Sequence, residues 1–194
     1  MGLVVMDLEI KEAVDPNDPK RDWAAARSGK LGVSVVCIYD YETDRYHFYD
    51  DFCLTEAVAH LESAECVVTF NGQEFDLPCL GGVFGRSIRP RGHYDILQEV
   101  WKALGRRVKG YGLGPISERT LGLSKSGHGI HATDLWNENR VAELYTYCAA
   151  DVHLTTCLFD HIMDTHTIVG MGGDKLCLRP YDTVMESLSA RYTE

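Results

Sequence analysis

Three groups of acidic and aromatic residues have spacings that could support hydrolysis. Asp7 and Glu9 are two residues apart in an apparent strand, so their side chains leave the same face and could bind one cation together. Asp76 follows another apparent strand after a polar turn, where open α/β sheets often build their sites. Tyr147 and Asp151 are four residues apart in a helical segment and therefore share a face. Taken singly, each group could equally be a solvated strand end, a polar turn or a packed helix face.

The first half of the chain predicts three strands, a helix and a fourth strand. An apolar run precedes Asp7, which is typical of a buried strand with acidic residues at its far end. Two β-branched and aromatic segments follow and predict a hairpin, and an i, i+4, i+7 apolar pattern then predicts a helix. The predicted elements are strands at residues 3–10, 32–40, 45–49 and 66–70, and a helix at residues 54–61.

The second half is mainly helical in pattern. An apolar stripe over residues 96–104 predicts a helix that Gly105 closes, and a shorter helix is predicted from Pro115 to the residue before Gly122. A third helix begins near residue 141 and runs on, or bends, to about residue 162. Residues 168–178 predict a hairpin, and the last dozen residues predict a weak helix. Residues 14–30 are typical of a loop, and the glycine-rich region 81–114 is hard to assign outside the helix predicted at residues 96–104. The sequence therefore predicts one α/β domain over residues 1–194, with a mixed sheet flanked by helices.

The charge distribution is uneven along the chain. The 194 residues carry a net charge of −10, which argues against binding nucleic acid by bulk charge. The segment between Arg86 and Lys125 nevertheless holds nine Lys/Arg and three Asp/Glu. Such a basic segment could contact phosphates beside an acidic site, or could simply be a solvated surface. The candidate phosphate contacts are Arg86, Arg89, Arg91, Arg106, Arg107 and Lys109.

Cysteine, histidine and hydropathy patterns exclude several classes of protein. The seven cysteines occur singly without a C-x-x-C pair, so we expect neither a zinc knuckle nor a disulfide framework. Two histidines at residues 128 and 131 lack a third soft ligand nearby, and we interpret that loop as structural. No long apolar run predicts a membrane segment. We therefore expect a protein of the reducing cytoplasm.

Together the three groups resemble the motifs of a known family. The patterns D-x-E at Asp7 and Glu9, N-x3-F-D from Asn71 to Asp76, and Y-x3-D from Tyr147 to Asp151 look like the three exonuclease motifs of the DEDD (DnaQ-like) superfamily. The second pattern is similar to that of the proofreading domain of family-B DNA polymerases. The histidine branch of the superfamily places His five residues before the last Asp, where this chain has Thr146. The resemblance spans about residues 3–163 and indicates the tyrosine branch.

The resemblance implies a ribonuclease H-like fold and a site for two Mg²⁺ or Mn²⁺ ions. By analogy Asp7 bridges both ions, Glu9 and Asp151 complete the site that carries the attacking water, and Asp76 serves the second ion. Tyr147 would orient that water, since an ordinary phenol is a poor base at neutral pH. The candidate substrate contacts are Asn71, Phe75 and Leu8, although Phe75 could equally be a core residue.

The implied function is a 3′→5′ exonuclease that releases 5′-monophosphates. The polymerase-like second motif favours single-stranded DNA as the substrate. Two alternatives remain open, an RNA-trimming enzyme resembling RNase D and a catalytically silent nucleic-acid-binding module of the same fold. A polymerase or helicase could act with it in trans, whereas the sequence does not indicate an oligomeric state.

Overall fold

The computed structural model describes residues 2–13, 24–125 and 132–182. The predictions for the two-histidine loop and for the last dozen residues fall outside these ranges. The strands are β1 (Leu3–Glu9), β2 (Val35–Asp40), β3 (Arg45–Asp50), β4 (Cys66–Thr69), β5 (His93–Asp95), β6 (Thr167–Val169) and β7 (Lys175–Cys177). The helices are α1 (Leu54–Ser63), α2 (Asp76–Phe84), α3 (Ile96–Leu104), α4 (Leu113–Leu121), α5 (Ala132–Asn137) and α6 (Val141–Thr165).

The main sheet is mixed, as the sequence predicts. Its five strands are ordered β3-β2-β1-β4-β5. Strands β1, β2 and β3 are antiparallel neighbours, whereas β1 pairs in parallel with β4, and β4 with β5. The carboxyl ends of β1 and β4 therefore meet at the same edge of the sheet, beside the residues that follow each strand.

The alternation of side chains along β1 places the first two acids. Val4, Met6 and Leu8 lie in the hydrophobic core on one face of the sheet, with α1 and α2. Val5 belongs to the core on the other face, which contains the buried side of α6. Because alternate strand residues share a face, Asp7 and Glu9 continue the line of Val5 and lie on the α6 face.

Helix α6 is continuous over its 25 residues. Its buried side includes Leu144, Cys148, Val152 and Phe159, which recur at helical spacing and pack in the core beneath the sheet. Asp151 lies on this buried side as well and is 5% exposed. A single uninterrupted helix therefore carries a carboxylate to the face where Asp7 and Glu9 lie.

Two elements near the site were not predicted, helix α2 and strand β5. Pro78 and the glycine pair at 81 and 82 obscure the pattern of α2, although proline is tolerated in the first turn of a helix. A β-carbon on Gly82 would lie 2.3 Å from the carbonyl oxygen of Ala26, so the glycine is required by close backbone packing. Strand β5 has only three residues, too few for a periodic pattern.

Other boundaries agree closely with the predictions. Helix α3 ends at Leu104 with Gly105 in the left-handed conformation (φ 66°), as the glycine indicated. Helix α4 begins at Leu113, two residues before Pro115, and α5 was not predicted. The antiparallel pair β6 and β7 confirms the predicted hairpin. Within the described ranges, no helix combines the length and apolar character that crossing a membrane requires.

Candidate active site

The parallel pairing of β1 and β4 brings the first and second acidic groups together. Asp76 is the first residue of α2 and follows the turn after β4, and its carboxylate accepts a hydrogen bond from the backbone N–H of Leu8. Leu8 lies between Asp7 and Glu9, so this bond fixes Asp76 to the acidic end of β1. Asp76 is 4% exposed. A buried carboxylate thus lies beside two others.

Helix α6 supplies the third acidic group. The thiol of Cys148 lies 3.7 Å from the backbone carbonyl oxygen of Asp7. Asp151 is three residues further along the helix and shares that face. The charges of Asp151 and Asp76 both act on Asp7 and on Glu9 and raise their pKa values. Four carboxylates from three separate segments therefore form one electrostatic cluster.

Burial raises the pKa values of all four acids, and repulsion by neighbouring carboxylates raises three of them further. For Asp7 the pKa is raised well above its usual range by burial first, and then by Asp76, Glu9 and Asp151. Burial, followed by the charge of Asp151, raises the pKa of Glu9 to about 8. Burial, followed by the charge of Asp95, raises the pKa of Asp76 to about 7. Burial also raises the pKa of Asp151, against the lowering effect of Lys125. Such a cluster is favourable mainly when cations neutralise it.

Lys125 is a member of the site that the motifs do not reveal. Its ammonium Nζ lies 2.6 Å from Asp151 Oδ2, and 5.2 Å from the centroid of the Tyr147 ring. Its positive charge also acts to lower the pKa of the Tyr147 hydroxyl, against the effect of burial. The sequence marks Lys125 only as the end of the basic segment. Its role depends on the fold, because the loop after α4 passes beside α6.

Asp95 holds the turn that precedes Asp76. It is buried at the start of α3, and its carboxylate accepts hydrogen bonds from the backbone N–H groups of Asn71 (3.0 Å) and Gln73 (2.9 Å). Asn71 has a positive φ of 70°, which this pair of bonds helps to hold. A β-carbon on Gly72 would lie 2.6 Å from the Thr69 β-carbon. The turn is therefore tightly fixed before it reaches Asp76.

The three residues expected to contact substrate have different surroundings. The Asn71 side-chain oxygen is buried and has no hydrogen-bond donor in the described part of the chain. Phe75 is partly buried and packs against the core that contains α1 and α2. The Leu8 side chain is 4% exposed, on the face opposite Asp7 and Glu9. Asn71 is thus the one of the three with unused hydrogen-bonding capacity.

The donor set fits a hard divalent cation. Asp151 Oδ1 is buried and has no donor within the described ranges, which leaves an oxygen available for a metal ion. Side-chain ligand atoms of Asp7, Glu9 and Cys148 lie within 4.8 Å of one another. Carboxylate oxygens select Mg²⁺ or Mn²⁺, whereas a thiolate would favour softer metals. Burial raises the pKa of Cys148 far above its usual range, so the thiol stays protonated and the carboxylates remain the available anions.

The basic segment is only partly available to phosphates. Arg86 pairs with Glu62 (Nη1 to Oε1, 2.6 Å), and Arg107 forms a two-point ion pair with Glu74. Arg106 and Lys109 are exposed and have no carboxylate partner within residues 2–13, 24–125 and 132–182. Arg89 and Arg91 are exposed as well and likewise have no ion-pair partner among the described residues, so these four are the better candidates for phosphate contacts.

The fold and sequence place the chain in a family. Residues 28–163 match the family model RNase_H_2, described as RNase_H superfamily, and the chain belongs to that superfamily. The matched range contains Asp76, Tyr147 and Asp151, whereas Asp7 and Glu9 precede it. No curated protein matches the chain.

A solved polymerase has a similar fold. It is the family B DNA polymerase from the hyperthermophilic archaeon Pyrobaculum calidifontis, with 16% sequence identity and a TM-score of 0.57. The similarity covers 82% of this chain and 24% of the polymerase chain. At this identity the likeness shows the fold alone, an RNase H-like α/β domain as the sequence resemblance implied.

The raised pKa values predict how stability depends on pH. Because the folded pKa values of Asp7, Glu9 and Asp76 exceed their ordinary values, the folded state binds more protons than the unfolded state between about pH 4 and the Glu9 pKa of about 8. Stability of the metal-free protein should therefore fall as pH rises through this window. Thermal melting in chelator would show a Tm lower at about pH 8 than at about pH 5.5, by roughly 5 °C. A Tm that rises over this range would contradict the prediction.

Removing the lysine should weaken the metal-free fold. In Lys125→Ala the buried Asp151 carboxylate loses its partner, and we expect a loss of about 1–2 kcal/mol, below that of a fully buried pair because the Lys125 side chain is 39% exposed. Mn²⁺ should restore more stability to this variant than to wild type. Denaturant unfolding with and without Mn²⁺ measures both effects, with exposed Lys30→Ala as the control. Equal stability and equal Mn²⁺ response in the two variants would refute the role of the pair.

Proposed function

We propose that the protein is a metal-dependent 3′→5′ exonuclease of the DEDD (DnaQ-like) superfamily, in its tyrosine branch. The observation that carries the proposal is the cluster of two half-buried and two buried carboxylates beside Tyr147, namely Asp7, Glu9, Asp76 and Asp151. Its substrate would be a nucleic-acid 3′ end, with single-stranded DNA favoured, and its products 5′-monophosphates. We further propose that residues 1–194 form one such domain and act in the cytoplasm, where a polymerase or helicase could supply the strand.

The carboxylates of the cluster would hold two Mg²⁺ or Mn²⁺ ions. When bound, these ions supply Lewis acidity, which activates a water molecule and stabilises the leaving 3′ oxygen. Asp7 is central, because its carboxylate interacts with the other three. Asp95 fixes the turn that leads to Asp76, so the site would not need to be assembled when substrate arrives.

Tyr147 is suited to orient water rather than to remove its proton. Burial is the main cause of its raised pKa, so the phenol stays protonated at neutral pH. Lys125 lies beside the ring, and an ammonium can only donate, so a contact from Lys125 to the Tyr147 oxygen would leave the hydroxyl proton free to be donated. The acceptor would be the attacking water or a phosphate oxygen.

The substrate end would lie beside the turn from residue 71 to residue 76. The unpaired Asn71 side-chain oxygen could accept a hydrogen bond from a base or a 3′-hydroxyl. Phe75 lies next to Asp76 and could pack on a sugar or a base, and Leu8 could contribute its backbone. The proposal thus places the terminal nucleotide between α2 and the end of β1.

A labelled strand tests this function. A 5′-labelled oligodeoxynucleotide incubated with Mn²⁺ or Mg²⁺ should give a ladder that shortens from the 3′ side, and chelator should stop it. A matched RNA strand, compared at equal concentration, decides between DNA and RNA as the substrate. Absence of cation-dependent shortening of either strand, together with tight binding, would instead indicate a binding module.

A further inference from the structure

A cavity of about 400 Å³ lies between α3 and the loop that leads to α4. This volume is within the range of about 300–1,000 Å³ that small-ligand sites occupy. Leu97 and Val108 provide apolar wall, Trp101 and Tyr111 provide aromatic rings, and Arg107 and Lys109 provide positive charge. Aromatic faces combined with cations are the surface that stacks on nucleobases and contacts phosphates.

The walls of this cavity are held in place before any ligand binds. The Arg107 guanidinium carbon lies 4.7 Å from the centroid of the Trp101 ring, and the same side chain pairs with Glu74. Arg119 donates a hydrogen bond to the Gly110 carbonyl oxygen (3.2 Å) and lies over the Tyr111 ring. Less ordering is therefore needed on binding, which favours affinity.

The cavity adjoins the candidate active site on two sides. Glu74, the partner of Arg107, is two residues before Asp76. On the other side, Gly112 lines the cavity, and a β-carbon on Gly114 would lie 3.4 Å from the Lys125 β-carbon. Lys125 in turn contacts Asp151. A strand whose 3′ end reaches the carboxylates therefore has a path past this cavity.

The charge around the cavity indicates the kind of ligand that it would bind. The chain has a net charge of −10, and yet Arg106 and Lys109 stand beside the cavity without a carboxylate partner within the described residues. Unpaired cations beside aromatic rings fit a polyanion with planar bases.

We propose that this cavity binds a nucleotide of the substrate strand that is not the one cleaved, with its base beside the stacked Trp101 and Arg107 side chains and its phosphate near Lys109. This inference rests on the proposed function. The cavity would hold the strand while the terminal nucleotide is removed, so it would favour longer strands over minimal substrates.

Two substrates distinguish the contribution of the cavity from that of the catalytic centre. The p-nitrophenyl ester of thymidine 5′-monophosphate has one nucleoside and cannot reach the cavity, whereas a single strand of about a dozen nucleotides can. For Lys109→Glu and Trp101→Leu, the ratio of kcat/KM on the strand to kcat/KM on the ester should fall about tenfold. Arg45→Glu, the same charge change at the far edge of the sheet, should keep the wild-type ratio. Unchanged ratios in both cavity variants would overturn the proposal.

A binding measurement tests whether the cavity contacts the strand even if no hydrolysis occurs. If wild type cleaves neither substrate with Mn²⁺, the proposed function fails, and fluorescence anisotropy of the labelled strand in chelator then tests the cavity alone. Lys109→Glu should weaken binding about tenfold and reduce the slope of log K against log salt by about one or more. Because Trp101 is partly buried, the exposed Lys109 decides the result. Equal affinity and slope for Lys109→Glu and Arg45→Glu would refute the cavity site.

Discussion

Asp7→Asn should lose hydrolysis by about a thousandfold or more and yet make the metal-free protein more stable. Asp7 interacts with the three other carboxylates, so its loss should prevent proper cation binding, which supplies several kcal/mol of transition-state stabilisation. The same change removes a half-buried negative charge among other carboxylates, which raises the energy of the folded state at neutral pH. We expect a higher Tm in chelator at about pH 8, and little further gain when Mn²⁺ is added.

The opposite movement of activity and stability distinguishes a functional acid from a structural one. Asp164→Asn, an exposed change on the same helix as Asp151, should leave both the activity and the Tm near wild type. Oligonucleotide cleavage and thermal melting provide the two readouts. An Asp7→Asn protein that is less stable and still cleaves would show that Asp7 only supports the fold.

Tyr147→Phe should lower kcat by about 10- to 100-fold, the effect of losing one hydrogen bond to a charged group in the transition state. The phenol lies beside the carboxylate cluster and Lys125, but it supplies no metal ligand. The Mn²⁺ concentration that gives half-maximal rate should therefore change by less than about threefold. Steady-state rates over a range of Mn²⁺ concentrations measure both quantities.

Tyr145→Phe is the matched control for this change. Tyr145 is two residues earlier on α6, where its ring stacks on Phe48 at 5.0 Å, away from Lys125. We expect it to retain the wild-type kcat. If Tyr147→Phe also retained it, or if it lost Mn²⁺ binding instead, the phenol would not be acting on water.

The acidic residues of the site could be identified from the sequence because they lie on regular strands and helices, in which the direction of each side chain follows from its position. Residues two apart on a strand and four apart on a helix have fixed relative directions, so Asp7 with Glu9, and Tyr147 with Asp151, could be paired from spacing. Their convergence could not be derived from spacing and came from the resemblance of three motifs. Thus the relative directions of neighbouring side chains could be predicted from the sequence alone. The contact between distant segments could be predicted only from the resemblance to a known family.

Residues that act through tertiary contacts left no local signal. Asp95 fixes the turn at Asn71 from a strand of three residues, and Lys125 meets Asp151 from a loop. Cys148 was an isolated cysteine in the sequence and lies in the fold against the backbone of Asp7. None of these positions is periodic, so their roles appear only once the chain is folded.

The limits of the fold prediction have the same origin. Helix α6 could be predicted because its apolar positions recur over many turns. Helix α2 was not, since Gly81 and Gly82 are chosen for contact with neighbouring backbone rather than for helix propensity. Because these glycines are required for close backbone packing, the sequence of α2, the helix that carries Asp76, has no recognisable helical pattern.

A crystal structure grown with Mn²⁺ and a short single-stranded oligonucleotide would test the central claim, using the anomalous signal of manganese. We expect two manganese peaks ligated by Asp7, Glu9, Asp76 and Asp151, with the phosphate that joins the last two nucleotides between them and with Lys125 displaced from Asp151. Saturating Mn²⁺ with no peak among these four carboxylates, and with Lys125 still paired to Asp151, would contradict it.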